Sequence, residues 1–220
     1  MSLLRAAPTR AFVRRHTTLR PVHELPGLRL HLADDVLDVW RAVQLEVADD
    51  EAPLPYWSAA WAGGLALASY LRERPDVVKG RRVLDFGSGS GLVGIVAAQL
   101  AAASVVAVDI DPFAMAAIHL NARANDVRVS ALRRDLVGEP PPSELDVLLA
   151  GDCWYEEGFA TVVTPWLRRV RDSGVDVLVA DPGRRFMPTS ELQETAEYEV
   201  RTTSALEDQD QRTARVYRFR

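Results

Sequence analysis

Cysteine is almost missing from this chain: Cys153 is the only one in 220 residues. No intramolecular disulfide can form, and a reducing compartment suits such a chain. Lysine is equally scarce. Lys79 stands alone among 26 basic residues, the others all being arginine. We read that skew as genomic composition, which favours a bacterial source. No apolar run reaches the ~20 residues that a membrane-spanning helix needs. Internal repeats and low-complexity tracts are absent too. Positive charge is not in excess. The formal net charge of −5 argues against general nucleic-acid binding. His16, His23 and His31 have no metal-ligand spacing with one another or with Cys153, so no metal is expected.

What remains is an ordinary globular composition, 48% hydrophobic and 26% charged, in a length that suits one α/β domain with an N-terminal extension. Five arginines (Arg5, Arg10, Arg14, Arg15 and Arg20) precede the first acid, Glu24. A mitochondrial transit peptide has such a start, but so does a surface arm. We read it as an arm, a flexible start leading into a short helix or extended segment.

The centre of the chain is Val83-Leu84-Asp85-Phe86-Gly87-Ser88-Gly89-Ser90-Gly91-Leu92-Val93-Gly94. An apolar strand passes through a glycine-rich turn into a helix over residues 92–100. Glycine permits positive φ and close backbone approach, and a helix N-terminus offers free N–H groups to an anion. Gly87, Ser88, Gly89 and Gly91 are therefore cofactor-binding candidates. The Gly89-x-Gly91-x-x-Gly94 spacing, with Asp109 about twenty residues on, also fits a dinucleotide fingerprint. Asp85 weighs against NAD, because a carboxylate there would repel a pyrophosphate. A cofactor with an ammonium and a sulfonium would welcome it, and S-adenosylmethionine has both.

Further βα units follow. The second strand spans 104–109 and ends at Asp109, placed for ribose hydroxyls. Asp111 is a helix cap and Pro112 a first helical residue. The third strand, 127–132, leads to Asp135, a candidate for the adenine amino group. The fourth, 145–150, runs into Gly151-Asp152-Cys153-Trp154-Tyr155, and the fifth, 175–180, into Asp181-Pro182-Gly183-Arg184. A helix is expected over 189–197 and two closing strands over 199–204 and 214–219, with a polar loop at 207–212 between them. This predicts a doubly wound, mostly parallel seven-stranded sheet with a C-terminal antiparallel hairpin. Upstream, 28–32 alternates like a strand, and Asp34 or Asp35 caps a helix beyond it. Tyr56, Trp57 and Trp61 lie beside Gly63 and Gly64, where aromatics either staple the extension to the domain or wall a pocket.

These motifs resemble class I S-adenosylmethionine-dependent methyltransferases: Asp85 to Gly91 as the glycine motif, Asp109 as the ribose acid, Asp135 as the adenine-side acid. Asp152-x-x-Tyr155 resembles the motif of the seven-β-strand protein-lysine methyltransferases, family 16. Pro55-Tyr56-Trp57 through Trp61-Ala62-Gly63-Gly64, Asp109-Ile110-Asp111-Pro112, Asn121 and Asp181-Pro182-Gly183-Arg184 resemble the electron-transfer flavoprotein β-subunit lysine methyltransferases, from about Phe12 to the C-terminus. That family often has proline where this chain has Ala62.

The resemblance implies an extension over residues 1–54 and a methyltransferase domain, Rossmann-like, over 55–220. It implies S-adenosylmethionine as cofactor, S-adenosylhomocysteine as product and lysines of the flavoprotein β-subunit as target. Trp61, Gly63, Ile110, Gly151 and Asp152 join the cofactor set. Asp152 and Tyr155 are the catalytic pair, and Trp57, Trp154, Tyr155, Asp181 and Arg184 meet the substrate. The expected molecule is a bacterial cytoplasmic monomer with no nucleic-acid or membrane partner, the animal member being mitochondrial. Alternative substrates are a nicotinamide-like small molecule or ribosomal protein L11.

Overall fold

The computed structural model describes residues 10–201 and 211–220. The segment with Arg5, the end of the strand expected over 199–204 and most of the expected 207–212 loop lie outside them. From the N-terminus come α1 (Arg10–His16), β1 (Thr18–Pro21), β2 (Arg29–Leu32), α2 (Val36–Val47) and α3 (Ala62–Glu73). There follow β3 (Arg82–Phe86), α4 (Leu92–Gln99), β4 (Ser104–Asp109), α5 (Pro112–Ala124), β5 (Ser130–Arg133), β6 (Val147–Gly151) and α6 (Glu157–Asp172). The chain closes with β7 (Asp176–Asp181), β8 (Leu192–Arg201) and β9 (Gln211–Phe219).

Seven strands form the main sheet in the order β5-β4-β3-β6-β7-β9-β8. The first five are parallel, while β9 runs antiparallel between β7 and β8. The fold class is the one expected from the sequence. β3, β6 and β7 are covered on both faces, so they read as continuous apolar runs rather than alternating ones. Side chains still part by period two. Val83, Leu149 and Leu178 pack toward α3 and α4, and Leu84, Leu148 and Val177 toward α6.

Chain order reverses direction beside β3, whose neighbours are β4 and β6. Ligands bind open α/β sheets at such a switch point, beyond the carboxyl ends of the strands. The N-terminal elements pack over α5, with Phe12 against Phe113 at 4.9 Å between ring centroids. The caps are local: Asp35 accepts the Leu37 N–H at 2.8 Å to start α2, and Asp111 accepts that of Phe113 at 2.7 Å ahead of Pro112 in α5.

Two expected elements are corrected. The helix expected over 189–197 is one 3-10 turn, Thr189–Glu191, followed by β8. Ala196, Tyr198 and Val200 alternate inward, and nine residues of β8 pair with β9. That tertiary pairing outweighs the helix propensity of the Glu-rich stretch. The third strand begins three residues late, at Ser130 rather than Val127, because Val127 donates back to Ala122 in the turn that closes α5.

Candidate functional site

The turn after β3 is built on backbone that favours glycine. Gly87, Gly89 and Gly91 have φ of 62°, 51° and 81°. Asp109 fixes it from the next strand: Oδ2 accepts the Gly89 N–H at 2.8 Å and Oδ1 that of Asp111 at 2.9 Å. Burial raises the Asp109 pKa while these N–H groups oppose the rise. A carboxylate offers about four lone-pair sites, so capacity for hydroxyl donors remains. Ile110 beside it is largely exposed. The Ser88 N–H reaches the Val108 carbonyl at 3.0 Å, yet the buried Ser88 Oγ has no partner among the described residues. Nor does any side chain cap α4.

Asp85 does not face an open pocket. It is 2% exposed, and its Oδ2 accepts the Gly94 N–H at 2.9 Å. Burial, with the Asp109 charge adding to it, pushes its carboxyl up to about 7. Its visible work is to tie the strand to the first turn of α4. Asp135 also stands apart from the other acids. It is exposed beyond β5 and turns back to accept the Val137 N–H at 2.9 Å.

A second centre lies at the ends of β6 and β7. Asp152 has φ of 58°, uncommon for a non-glycine residue. Its N–H bonds the Ala180 carbonyl at 2.8 Å. Its Oδ2 accepts the Gly64 N–H at 3.0 Å, so it caps α3 from another element. This closeness depends on glycine. A Cβ on Gly63 would meet the Ala180 oxygen at 2.5 Å and the Asp152 Oδ2 at 2.7 Å, and one on Gly151 the Gly64 nitrogen at 2.9 Å. The other Asp152 oxygen takes Arg184 Nη1, which also approaches Asp181 Oδ2 at 3.3 Å. Asp181 is fully buried and accepts the N–H groups of Gly183 and Arg184. Two carboxylates thus share one guanidinium.

Three residues expected at the substrate are buried. Trp57 is buried and stacked on Phe113 at 6.0 Å. Trp154 is buried with its Nε1 on Thr164 Oγ1 at 3.0 Å. Asp181 is equally closed to solvent and is paired with Arg184. The aromatic surface is made by their neighbours. Tyr56 and Tyr155 are 36% and 43% exposed, with ring centroids 5.1 Å apart. Trp61 abuts Tyr56 at 5.6 Å and bonds its carbonyl at 2.7 Å. Phe159 is not among the residues the sequence points to, whereas Tyr56 belongs to the aromatic cluster read there as a staple or a pocket wall. Its ring turns outward while that of Trp57 turns inward, the two being adjacent in a 3-10 turn.

The family model of ribosomal protein L11 methyltransferase (PrmA) matches residues 66–151. An electron transfer flavoprotein beta subunit lysine methyltransferase of Xenopus laevis is 35% identical over 96% of this chain and 86% of its own. The protein of the same name from Rattus norvegicus is 35% identical over 75% of this chain and 67% of its own. Among solved structures, TrmN from Thermus thermophilus superposes with a TM-score of 0.53 at 22% identity, over 71% of this chain and 49% of that one. The expected bacterial, cytoplasmic setting is corrected here: these relatives, which match most of the chain, are animal proteins.

Proposed function

The chain belongs to the electron transfer flavoprotein beta subunit lysine methyltransferase family, and from that premise we propose that it methylates lysines of that flavoprotein subunit at the Asp152–Arg184 centre. S-adenosylmethionine is the methyl donor. The residues present fit it, on the orphaned buried Ser88 Oγ, the positive-φ glycines and the spare acceptor capacity of Asp109. Asp109 would take the ribose hydroxyls, and Gly87, Ser88, Gly89 and Gly91 the amino-acid end. Asp85 supports the loop from behind rather than touching the cofactor. When bound, S-adenosylmethionine supplies a methyl group already activated by the sulfonium, so the protein contributes alignment and a dry site.

A lysine ammonium has a pKa of about 10.4, and reaching the neutral amine at pH 7 costs roughly 4–5 kcal/mol in water. Asp152 alone would raise that cost, because a carboxylate stabilises ammonium. Arg184 offsets it: a cation beside the target favours the neutral amine. Asp152 can therefore accept one amine N–H and aim the lone pair without fixing the charged form. Asp181 holds Arg184 in place. Tyr155, three residues beyond Asp152, flanks the approach.

The observation that carries this reading is the carboxylate pair sharing one arginine beside the glycine loop. The test is incubation with methyl-labelled S-adenosylmethionine and the flavoprotein, followed by mass mapping. Label on lysines of the β-subunit is expected. Label on ribosomal protein L11 or nicotinamide alone would overturn it.

A further inference from the structure

Four aromatic rings follow one another in contact beside the Asp152 centre. Trp61 meets Tyr56 at 5.6 Å, Tyr56 meets Tyr155 at 5.1 Å, and Tyr155 meets Phe159 at 5.7 Å between centroids. The two middle rings are the most exposed aromatics of the strip. Large exposed ring faces side by side point to a ligand, where single exposed apolar residues do not. The strip is also fixed in place. The Tyr56 carbonyl receives the Trp61 indole N–H, and the backbone of Tyr56 and Trp57 lies against Gly89 of the cofactor loop. Both phenols are shifted further from ionisation by burial and by the Glu156 charge. Tyr155 follows Asp152 by three residues, and Tyr56 lies against Gly89 through its backbone, so the strip adjoins both the Asp152 end of β6 and the glycine loop.

We propose that this strip grips methylated ammonium groups by cation–π attraction, and that Tyr56 sets how many methyl groups one target nitrogen receives. The inference rests on the lysine-methyltransferase reading and deepens it. An unmethylated ammonium can hydrogen-bond to Asp152. Each transfer forms one N–C bond, breaks one C–S bond with its electron pair returning to sulfur, and requires one proton to leave the nitrogen for water. Each added methyl therefore removes an N–H that Asp152 can accept. Attraction to a ring face needs no N–H and survives full methylation. A site with only Asp152 loses hold of its product as methyls accumulate, whereas one with the strip keeps it for the next transfer.

The experiment follows unmodified, mono-, di- and trimethylated lysine on the flavoprotein by mass spectrometry over time, with the full-length protein and with Tyr56→Ala and Tyr56→Phe. The wild type should reach trimethyl-lysine with little monomethyl intermediate. Tyr56→Ala should slow the later transfers about tenfold more than the first, so that monomethyl-lysine accumulates. Tyr56→Phe, which keeps the ring, should restore the wild-type distribution. A wild type that stops at one methyl, or a Tyr56→Ala distribution equal to that of the wild type, overturns the role of the strip. So does a loss in Tyr56→Ala explained wholly by weaker S-adenosylhomocysteine binding, which would make the strip a cofactor wall. If the wild type methylates no protein lysine, the failure belongs to the underlying reading.

Discussion

Asp85 holds its proton far more tightly in the folded chain than an ordinary carboxyl does, at about 7 against 3.8. The sign follows from that difference. Its contribution to stability is complete at pH below the unfolded value and is lost as pH rises through the folded one. Unfolding free energy should therefore fall between pH 5 and pH 8, and less steeply in Asp85→Asn, which keeps an acceptor for the Gly94 N–H. Asp111, raised to about 6 by burial, leaves part of the slope in place. Denaturant titrations at several pH values check this; parallel slopes in both proteins would refute it. At Asp152 the proposed role in aiming the amine is tested by removing the charge while keeping the shape. Asp152→Asn keeps an acceptor for the Gly64 N–H but loses the charge-assisted bond, worth about 1.5–3 kcal/mol. Lysine methylation should drop roughly tenfold to a few hundredfold, with S-adenosylhomocysteine affinity near wild type by calorimetry.

Between elements, the approach of α3 to the ends of β6 and β7 is what glycine makes possible. Gly63 and Gly64 give a matched pair. A methyl at Gly63 meets the Ala180 oxygen at 2.5 Å, whereas one at Gly64 finds only Val93 Cγ2 at 3.9 Å. Gly63→Ala should cost about 1–3 kcal/mol or more, since backbone must move. Gly64→Ala should be neutral or stabilise by up to about 1 kcal/mol through helix propensity. Chemical denaturation separates them, and equal effects would refute the packing argument. The same scale shows what was legible in advance. Strand β4 and the caps of α2 and α5 follow from local patterns, since Asp35 and Asp111 act within two residues of themselves. The hairpin of β8 and β9 is legible as expected, but residues 192–197 read as helix on their own and become strand only through pairing with β9. The site divided likewise. The acids and glycines announced themselves at strand ends, but the outward turn of Tyr56 and the burial of Trp57 are decided by Phe113 and by the turn between them.

Across the whole molecule, the N-terminal hairpin is joined to the glycine loop after β3 through one buried side chain. Asn121 Oδ1 accepts the His31 N–H at 2.7 Å, and its Nδ2 donates to the Ser90 carbonyl at 2.8 Å. Asn125, one turn on, bonds both backbone groups of Arg29 but makes no bond to the loop. The two asparagines therefore separate anchoring of the hairpin from support of the loop. Asn121→Ala strands a buried donor and a buried acceptor, at about 1–3 kcal/mol each, and frees the loop at Ser90. Stability should fall by roughly 2–5 kcal/mol and S-adenosylhomocysteine binding should weaken with it. Asn125→Ala, nearer solvent, should cost about 1 kcal/mol and leave that binding unchanged. Denaturation and calorimetry on the two variants decide the matter. Equal losses of binding would assign the effect to the hairpin as a whole, and unchanged binding in Asn121→Ala would break the proposed link between the extension and cofactor binding at the glycine loop.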